Sequence, residues 1–319
     1  MNRLTVFPYI FDLELSGKCN TVCSFCPRHE MKRGEEYMSE EDFAHFFLKL
    51  QRYVQFLEGR QFYLPQEKLA GSIGRGSGSP VRVILCGMGE SLMHQKCPEW
   101  IKQLRSEIGV RVTVVTNGLL LREKMLEALL NSGITVVLVS VPGISRESYS
   151  RVMRIDWDRV MKNIIRANEV LPGRVQINAT IPDNADFTQQ DVIDFWGAKG
   201  IPIAGISSCH NRGGFLDDPT LTGKFRVPEQ NFCGIFARHN FVAWDGRILS
   251  CCHDLHAENV LGHVATHEFI DIAELKTPIV PKGPDYRICK NCNDRERCHA
   301  GQIVTVPSAP IANATARLE

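Results

Sequence analysis

Residues 9–27, YIFDLELSGKCNTVCSFCP, carry an apolar, strand-like run straight into three cysteines spaced Cys19-x3-Cys23-x2-Cys26. In parallel α/β folds, the loops that follow strands gather the chemistry. Three thiolates on one such loop can hold three irons of a [4Fe–4S] cube. The fourth iron is then left without a protein ligand, open to a small molecule. A structural zinc site with a distant fourth ligand is the alternative. Zinc pairs are usually C-x2-C, however, and x3 followed by x2 is unusual for them.

Outward from this stretch, strand-like and helix-like segments alternate. The strand-like runs are YIFDLELS, VRVILCG, RVTVVTNG, ITVVLVSV, RVQINATI and IPIAGISS. Between them lie CPEWIKQLRSEI, REKMLEALLNSG, WDRVMKNIIRANEVL and QQDVIDFWGAKG, with Gly133 and Gly200 where helices should end. Such repetition implies a parallel sheet with right-handed crossovers. Six units fit an open, partial (β/α)6 TIM-like barrel of the α/β class. Residues 60–80 break the rhythm. Their GRGSGS lacks the Lys-Ser/Thr ending of a phosphate loop and reads as a flexible loop. After about residue 215 the pattern changes. FVAWDGRILSCC reads as a β-hairpin turning at Asp245-Gly246, and EFIDIAELK as a short helix.

The composition excludes several classes. A net charge of +1 with no basic stripe argues against nucleic acid or an anionic membrane as partner. The N-terminal apolar run is short and broken by Asp12 and Glu14, so it is no signal peptide. No apolar stretch is long enough for a membrane span. The expected location is the cytoplasm. The 12 cysteines then read as metal or redox ligands rather than disulfides.

The C-x3-C-x-Φ-C loop, with aromatic Phe25, resembles the signature of the radical S-adenosylmethionine (SAM) superfamily. That resemblance implies that Cys19, Cys23 and Cys26 bind a [4Fe–4S] cluster whose open iron chelates SAM. An electron from the cluster then yields a 5′-deoxyadenosyl radical. Phe25 is expected against the adenine. Cys86-Gly87-Met88-Gly89-Glu90 resembles the family's GGE motif, which meets the SAM amino group, with Ser91 where the family usually has Pro. Thr116-Asn117-Gly118 resembles its TNG element. By the same resemblance Ser140 and Asn178 are ribose contacts. Arg151 and Arg154 are both candidates to pair the SAM carboxylate.

The C-terminal cysteines run Cys233, Gly246-x4-Cys251, Cys289-x2-Cys292-x5-Cys298, with Cys252 beside Cys251. This resembles the SPASM/Twitch extension of the same superfamily. The position that should complete a further x3-Cys is Gln302, so ligands for two full clusters are lacking. The resemblance implies one auxiliary [4Fe–4S] held by Cys233, Cys251, Cys289 and Cys292, with Cys252 or Cys298 as possible replacements. A zinc-ribbon-like site is the alternative. The expected organisation is a radical SAM partial barrel over 1–215, a small cysteine-rich Twitch/SPASM-type domain over 216–302, and a weakly ordered tail over 303–319.

Cys86 reads as a small buried residue. Cys97 and Cys209 follow strands at the active-site end. Cys209 is a candidate hydrogen-atom donor, and His210, His253 and Asp254 are candidate bases. His239, His256 and His263 have no constellation around them in sequence.

Two reactions compete. The first is a two-electron oxidation of a small molecule in natural-product biosynthesis, with the auxiliary cluster taking the electron. The resemblance here is to sulfatase-maturating enzymes and to the aminocyclitol dehydrogenase with a single auxiliary cluster. The second is an epimerisation quenched by a cysteine hydrogen. A peptide-modifying maturase stays open, although the first strand begins near residue 9 and leaves no room for an N-terminal leader-binding domain. A flavodoxin or ferredoxin reductant and oxygen sensitivity are expected. The non-enzyme alternatives are an iron–sulfur electron carrier and a zinc-stabilised binding module.

Overall fold

A computed structural model of the chain describes residues 4–58, 81–222, 232–294 and 305–307. The 60–80 loop, Cys298 and Gln302 lie outside these residues.

The strands are β1 (Leu4–Val6), β2 (Ile10–Leu13), β3 (Arg82–Leu85), β4 (Arg111–Thr116), β5 (Val136–Ser140), β6 (Val175–Ile181) and β7 (Ile203–Ser208). The larger helices of this part are α1 (Glu40–Glu58), α2 (Cys97–Gln103), α3 (Glu123–Asn131), α4 (Arg146–Met153), α5 (Trp157–Val170) and α6 (Gln189–Gly197). Strands β2 to β7 pair in chain order, all parallel. The sheet does not close on itself. This is the open partial barrel that the sequence implies.

Alternation along the strands builds its two sides. Val83, Leu85, Val112, Val114, Val137 and Val139 are fully buried under the helices, in one core with Trp100, Leu126, Leu129, Val160 and Ile164. Each such side chain contributes about 1.5–3 kcal/mol by leaving water. The alternate residues Ile84, Val115, Leu138, Ser140 and Asn178 are only partly buried and line the lumen. Helix ends follow local chemistry. Ser145 and Thr188 form capping boxes on α4 and α6, and Asp156 caps α5. Gly133 and Gly200 take φ of +70° and +66°, which only glycine adopts cheaply.

The C-terminal part continues the sheet of the barrel. β8 (His239–Val242) adds to β2 in parallel, so the sheet gains a seventh parallel strand. β9 (Arg247–Leu249) and β10 (Val260–His263) extend it antiparallel, as the Asp245-Gly246 hairpin requires. The helix Phe269–Lys276 packs Phe269 edge-on against Phe11, with ring centroids 4.7 Å apart. Barrel and extension therefore share one sheet; Val242, Ile248, Val264, Phe269 and Ile272 join the barrel core, while Ile235, Phe236 and Val280 form a smaller cluster. Within the stretch expected to be a weakly ordered tail, β11 (Thr305–Pro307) pairs antiparallel with β1.

Candidate active site

Cys19, Cys23 and Cys26 lie on the loop after β2 and line one cavity of about 490 Å³, together with Gly87, Glu90, Asn117, Ser140, Arg154 and Arg212. Thr21 sits between two of the thiols, its Oγ1 at 3.2 Å from Cys19 Sγ and 3.4 Å from Cys23 Sγ. Burial pushes the Cys19 thiol up and the Cys23 thiol to about 11. Both thiols keep their protons until a metal displaces them.

The Cys86–Glu90 loop is stitched to this cysteine loop. Glu90 N–H donates to the Lys18 carbonyl at 2.9 Å. A Cβ on Gly89 would collide with the Ser16 and Lys18 carbonyl oxygens, and one on Gly87 with the Glu14 side chain. Glycine is required here for loop-on-loop contact. Glu90 is buried, and its carboxylate accepts the backbone N–H groups of Asn117 at 2.9 Å and Leu92 at 3.2 Å. Burial raises its pKa to about 7 against the pull of those bonds. Asn117 Nδ2 in turn donates to Asn20 Oδ1 at 2.7 Å. Beneath both loops Glu14 and Arg33 form a fully buried ion pair. Glu14 also accepts Met88 N–H at 2.8 Å and Trp244 N–H at 3.3 Å.

A second cavity of about 380 Å³ opens from the first and shares Phe25, Gly87, Met88, Val115, Ser140 and Arg212 with it. Its polar wall holds two carboxylate–imidazole pairs. Asp12 Oδ2 lies 2.7 Å from His239 Nδ1, and Asp294 Oδ2 lies 2.8 Å from His253 Nε2. His210 lies beside His253 with ring centroids 4.6 Å apart and the rings tilted by 56°. Burial pulls the His253 imidazole down, but the Cys252 charge and the bond to Asp294 outweigh it and leave the ring at about 9. Burial, Arg212 and His253 drive His210 down to about 2.

A third, small cavity is lined by Cys233, Cys251, Cys289 and Cys292 among apolar groups including Phe236, Tyr286 and Ile288. It shares Ile235 and His253 with the second cavity. None of the 11 described cysteines forms a disulfide. A half-buried four-thiol pocket with an apolar shell suits a closed iron–sulfur cluster, and the three-thiol loop suits one with an open iron.

A family profile described as the Radical SAM superfamily matches residues 13–195. The chain belongs to the radical SAM superfamily. A second profile, described as an iron–sulfur cluster-binding domain (SPASM), matches residues 233–293. The GTP 3′,8-cyclase of Aquifex aeolicus is 27% identical over 193 residues, 58% of this chain and 51% of the cyclase. This radical SAM chain thus spans about half the length of that curated relative. The structure of BtrN in complex with AdoMet and 2-DOIA superposes with a TM-score of 0.58 at 17% identity, over 90% of this chain and 94% of BtrN. Streptococcus suis SuiB bound to precursor peptide SuiA gives a TM-score of 0.64 at 14% identity, over 92% of this chain and 71% of SuiB. These two likenesses establish a shared fold. The cofactors follow from the family: SAM with a [4Fe–4S] cluster, and auxiliary iron–sulfur in the SPASM part.

The radical SAM site gathers some of the residues singled out in sequence and leaves others apart. Phe25, Gly87, Gly89, Glu90, Thr116, Asn117, Ser140 and Arg154 line the first cavity. Arg151 does not. It lies on the outer face of α4, beside Glu147 and Asp186. Asn178 lines the second cavity. Cys252 lines that cavity too, with its Sγ within 4.8 Å of Cys251 Sγ. Of the candidate catalytic groups, His210 faces the second cavity. Cys209 is buried with its Sγ 3.9 Å from the His210 carbonyl, and Asp254 caps the backbone N–H groups of Glu258 and Asn259. Cys97 is core. Cys86 is not a plain core residue. Its Sγ lies 3.7 Å from Asp12 Oδ1 on the cavity wall. His239 is likewise no bystander, because Asp12 holds it. The available signal was the charge of Asp12 and Glu14 inside an otherwise apolar strand.

Proposed function

We propose that this radical SAM enzyme oxidises a small polar molecule by two electrons at a carbon bearing a hydroxyl or amino group. One observation carries the reading. The second cavity borders the three-thiol cavity on one side and the four-thiol pocket on the other. A molecule bound there meets a radical source and an electron acceptor at once. When bound, the cluster of Cys19, Cys23 and Cys26 with SAM supplies a radical able to take a hydrogen atom. The chain's own residues do the rest. Arg154 and Asn117 face the SAM side. Apolar Ile84, Val115, Leu138 and Phe241 exclude water from the substrate. His239, fixed by Asp12 through Nδ1, takes the proton that leaves the substrate heteroatom. Cys233, Cys251, Cys289 and Cys292 would hold an auxiliary cluster, which would supply an acceptor for one electron. The similarity to GTP 3′,8-cyclase supports shared radical generation, and the cavity decides the substrate.

Cys252 favours a second reading. Its thiol lines the substrate cavity, 3.9 Å from His253 Nδ1, and could return a hydrogen atom in an epimerisation. SuiB, solved with its precursor peptide, keeps a peptide substrate as a further option.

The test is anaerobic reconstitution, iron counting and assay of 5′-deoxyadenosine release with dithionite. Reaction of candidate aminocyclitols and sugars in D2O follows. Oxidation gives a product two hydrogens lighter with no retained deuterium, and epimerisation gives one deuterium at the inverted carbon. Absence of SAM cleavage at full iron loading would sink both.

A further inference from the structure

Lys276 ends the helix Phe269–Lys276 and is fully buried. Lysine is almost never fully buried unless paired, because removing an ammonium from water costs several kcal/mol. Its hydrogen bonds go to neutral groups, the His239 carbonyl at 2.6 Å and Asn240 Oδ1 at 3.0 Å. Among the described residues no carboxylate comes within ion-pair distance of it. The ammonium instead lies 5.0 Å from the centroid of Phe236, a ring that walls the four-cysteine pocket. Burial pulls its pKa down to about 7. The Phe236 ring places the ammonium behind the four-cysteine pocket.

We propose that Lys276 is the counter-charge of the auxiliary cluster and raises its reduction potential, so that the cluster accepts the electron leaving the substrate. This rests on the auxiliary cluster of the proposed function. Four thiolates around a [4Fe–4S] core with charge +2 sum to about −2, and one-electron reduction makes the assembly about −3. A fixed positive charge in a low-dielectric surround favours the more negative state. The balance closes. The substrate loses a hydrogen atom to the SAM-derived radical, a proton to the base and one electron to the auxiliary cluster. Lys276 is a positioning and tuning residue and touches none of the reacting atoms.

The test uses the full chain with Cys19, Cys23 and Cys26 replaced by Ala, so that only the auxiliary cluster remains. Its midpoint potential is read by redox titration with electron paramagnetic resonance. Lys276→Gln removes the charge and keeps a polar tip. Lys276→Arg keeps the charge. The expected result is a tenfold or greater rise in the oxidised-to-reduced ratio at fixed potential for Lys276→Gln, a shift of about 59 mV or more downward for a one-electron couple. Lys276→Arg should stay near the parent. Failure of Lys276→Gln to hold iron while Lys276→Arg holds it also supports a requirement for charge. Equal potentials in all three proteins overturn the inference, and so does loss of iron from both variants, which marks a mere staple between helix and β8. Absence of any cluster in the parent with native Lys276 overturns the auxiliary cluster itself, and the iron count shows this before any potential is read.

Discussion

Removing Arg33 tests the foundation of the active site. Arg33 and Glu14 side chains are 1% and 0% exposed and pair through the two terminal guanidinium nitrogens. Glu14 also holds Met88 N–H and Trp244 N–H, and Arg33 Nε donates to the Leu255 carbonyl at 3.2 Å. The pair therefore ties together β2, the Cys86–Glu90 loop, the hairpin turn and the segment after the cysteine loop. Arg33→Met leaves a buried carboxylate with two backbone donors and no cation. Breaking a buried pair in this way costs about 3–5 kcal/mol. At about 2–4 °C per kcal/mol for large domains, the melting temperature should fall on the order of 10 °C. Glu14→Gln with Arg33→Met removes both charges and should recover much of the loss. The assay is thermal unfolding of the reconstituted protein in a double-mutant cycle, with SAM affinity measured alongside by calorimetry because Met88 belongs to the tied loop. A loss under about 1 kcal/mol for Arg33→Met, or additivity across the cycle, would refute the clamp.

Glu90 predicts a pH signature. Its folded pKa, raised by burial to about 7 from 4.5, means that its contribution to stability is full below pH 4.5 and is lost as pH rises towards 7. Glu90→Gln should therefore gain relative to wild type across pH 4.5–7, by roughly 3 kcal/mol at most, and a flat difference in denaturant titrations would count against this. Cys251→Ala should remove about four irons per chain, whereas Cys252→Ala should remove none, and equal iron losses would place Cys252 among the ligands. Arg154→Ala should weaken SAM about tenfold or more, the worth of one charged hydrogen bond, while Arg151→Ala leaves affinity unchanged. Equal effects would show that facing the cavity does not decide the contact.

Much of the barrel is written locally. Each of the six strand segments is a short apolar run flanked by turn residues, and each folds as a parallel strand in chain order. Three features are not local. Asp12 reads in sequence only as an interruption of an apolar run, because its partner His239 lies 227 positions away. The choice between Arg151 and Arg154 depends on one backbone angle. Arg151 stays helical, whereas Arg154 caps α4 at φ +56° and turns into the cavity. Such a strained backbone beside a binding site is held by its surroundings, not by its own residue type. Cys251 and Cys252 are equivalent as letters. Past β9 the neighbours line different cavities, Cys251 the four-thiol pocket and Cys252 the second cavity.

The register of β8 explains why the C-terminal extension belongs to the active site and is not an appendage. Ile10 lies opposite His239 and Asp12 opposite Phe241 in the parallel ladder. Alternation then places Asp12 and His239 on the same face, two positions apart and within hydrogen-bond reach. A slip of one residue would turn His239 towards the core and leave Asp12 without its imidazole partner. Lys276 works against that slip from behind, holding the His239 carbonyl and Asn240 while Phe269 of the same helix packs on Phe11. The same few contacts thus fix the strand that brings the candidate base to the lumen, the cation behind the four-cysteine pocket, and the edge of β2 from which the three-cysteine loop departs. The three-thiol loop leaves β2, Asp12 and His239 sit on paired strands β2 and β8, and Cys251 follows β9, so all three cavities are anchored on one sheet.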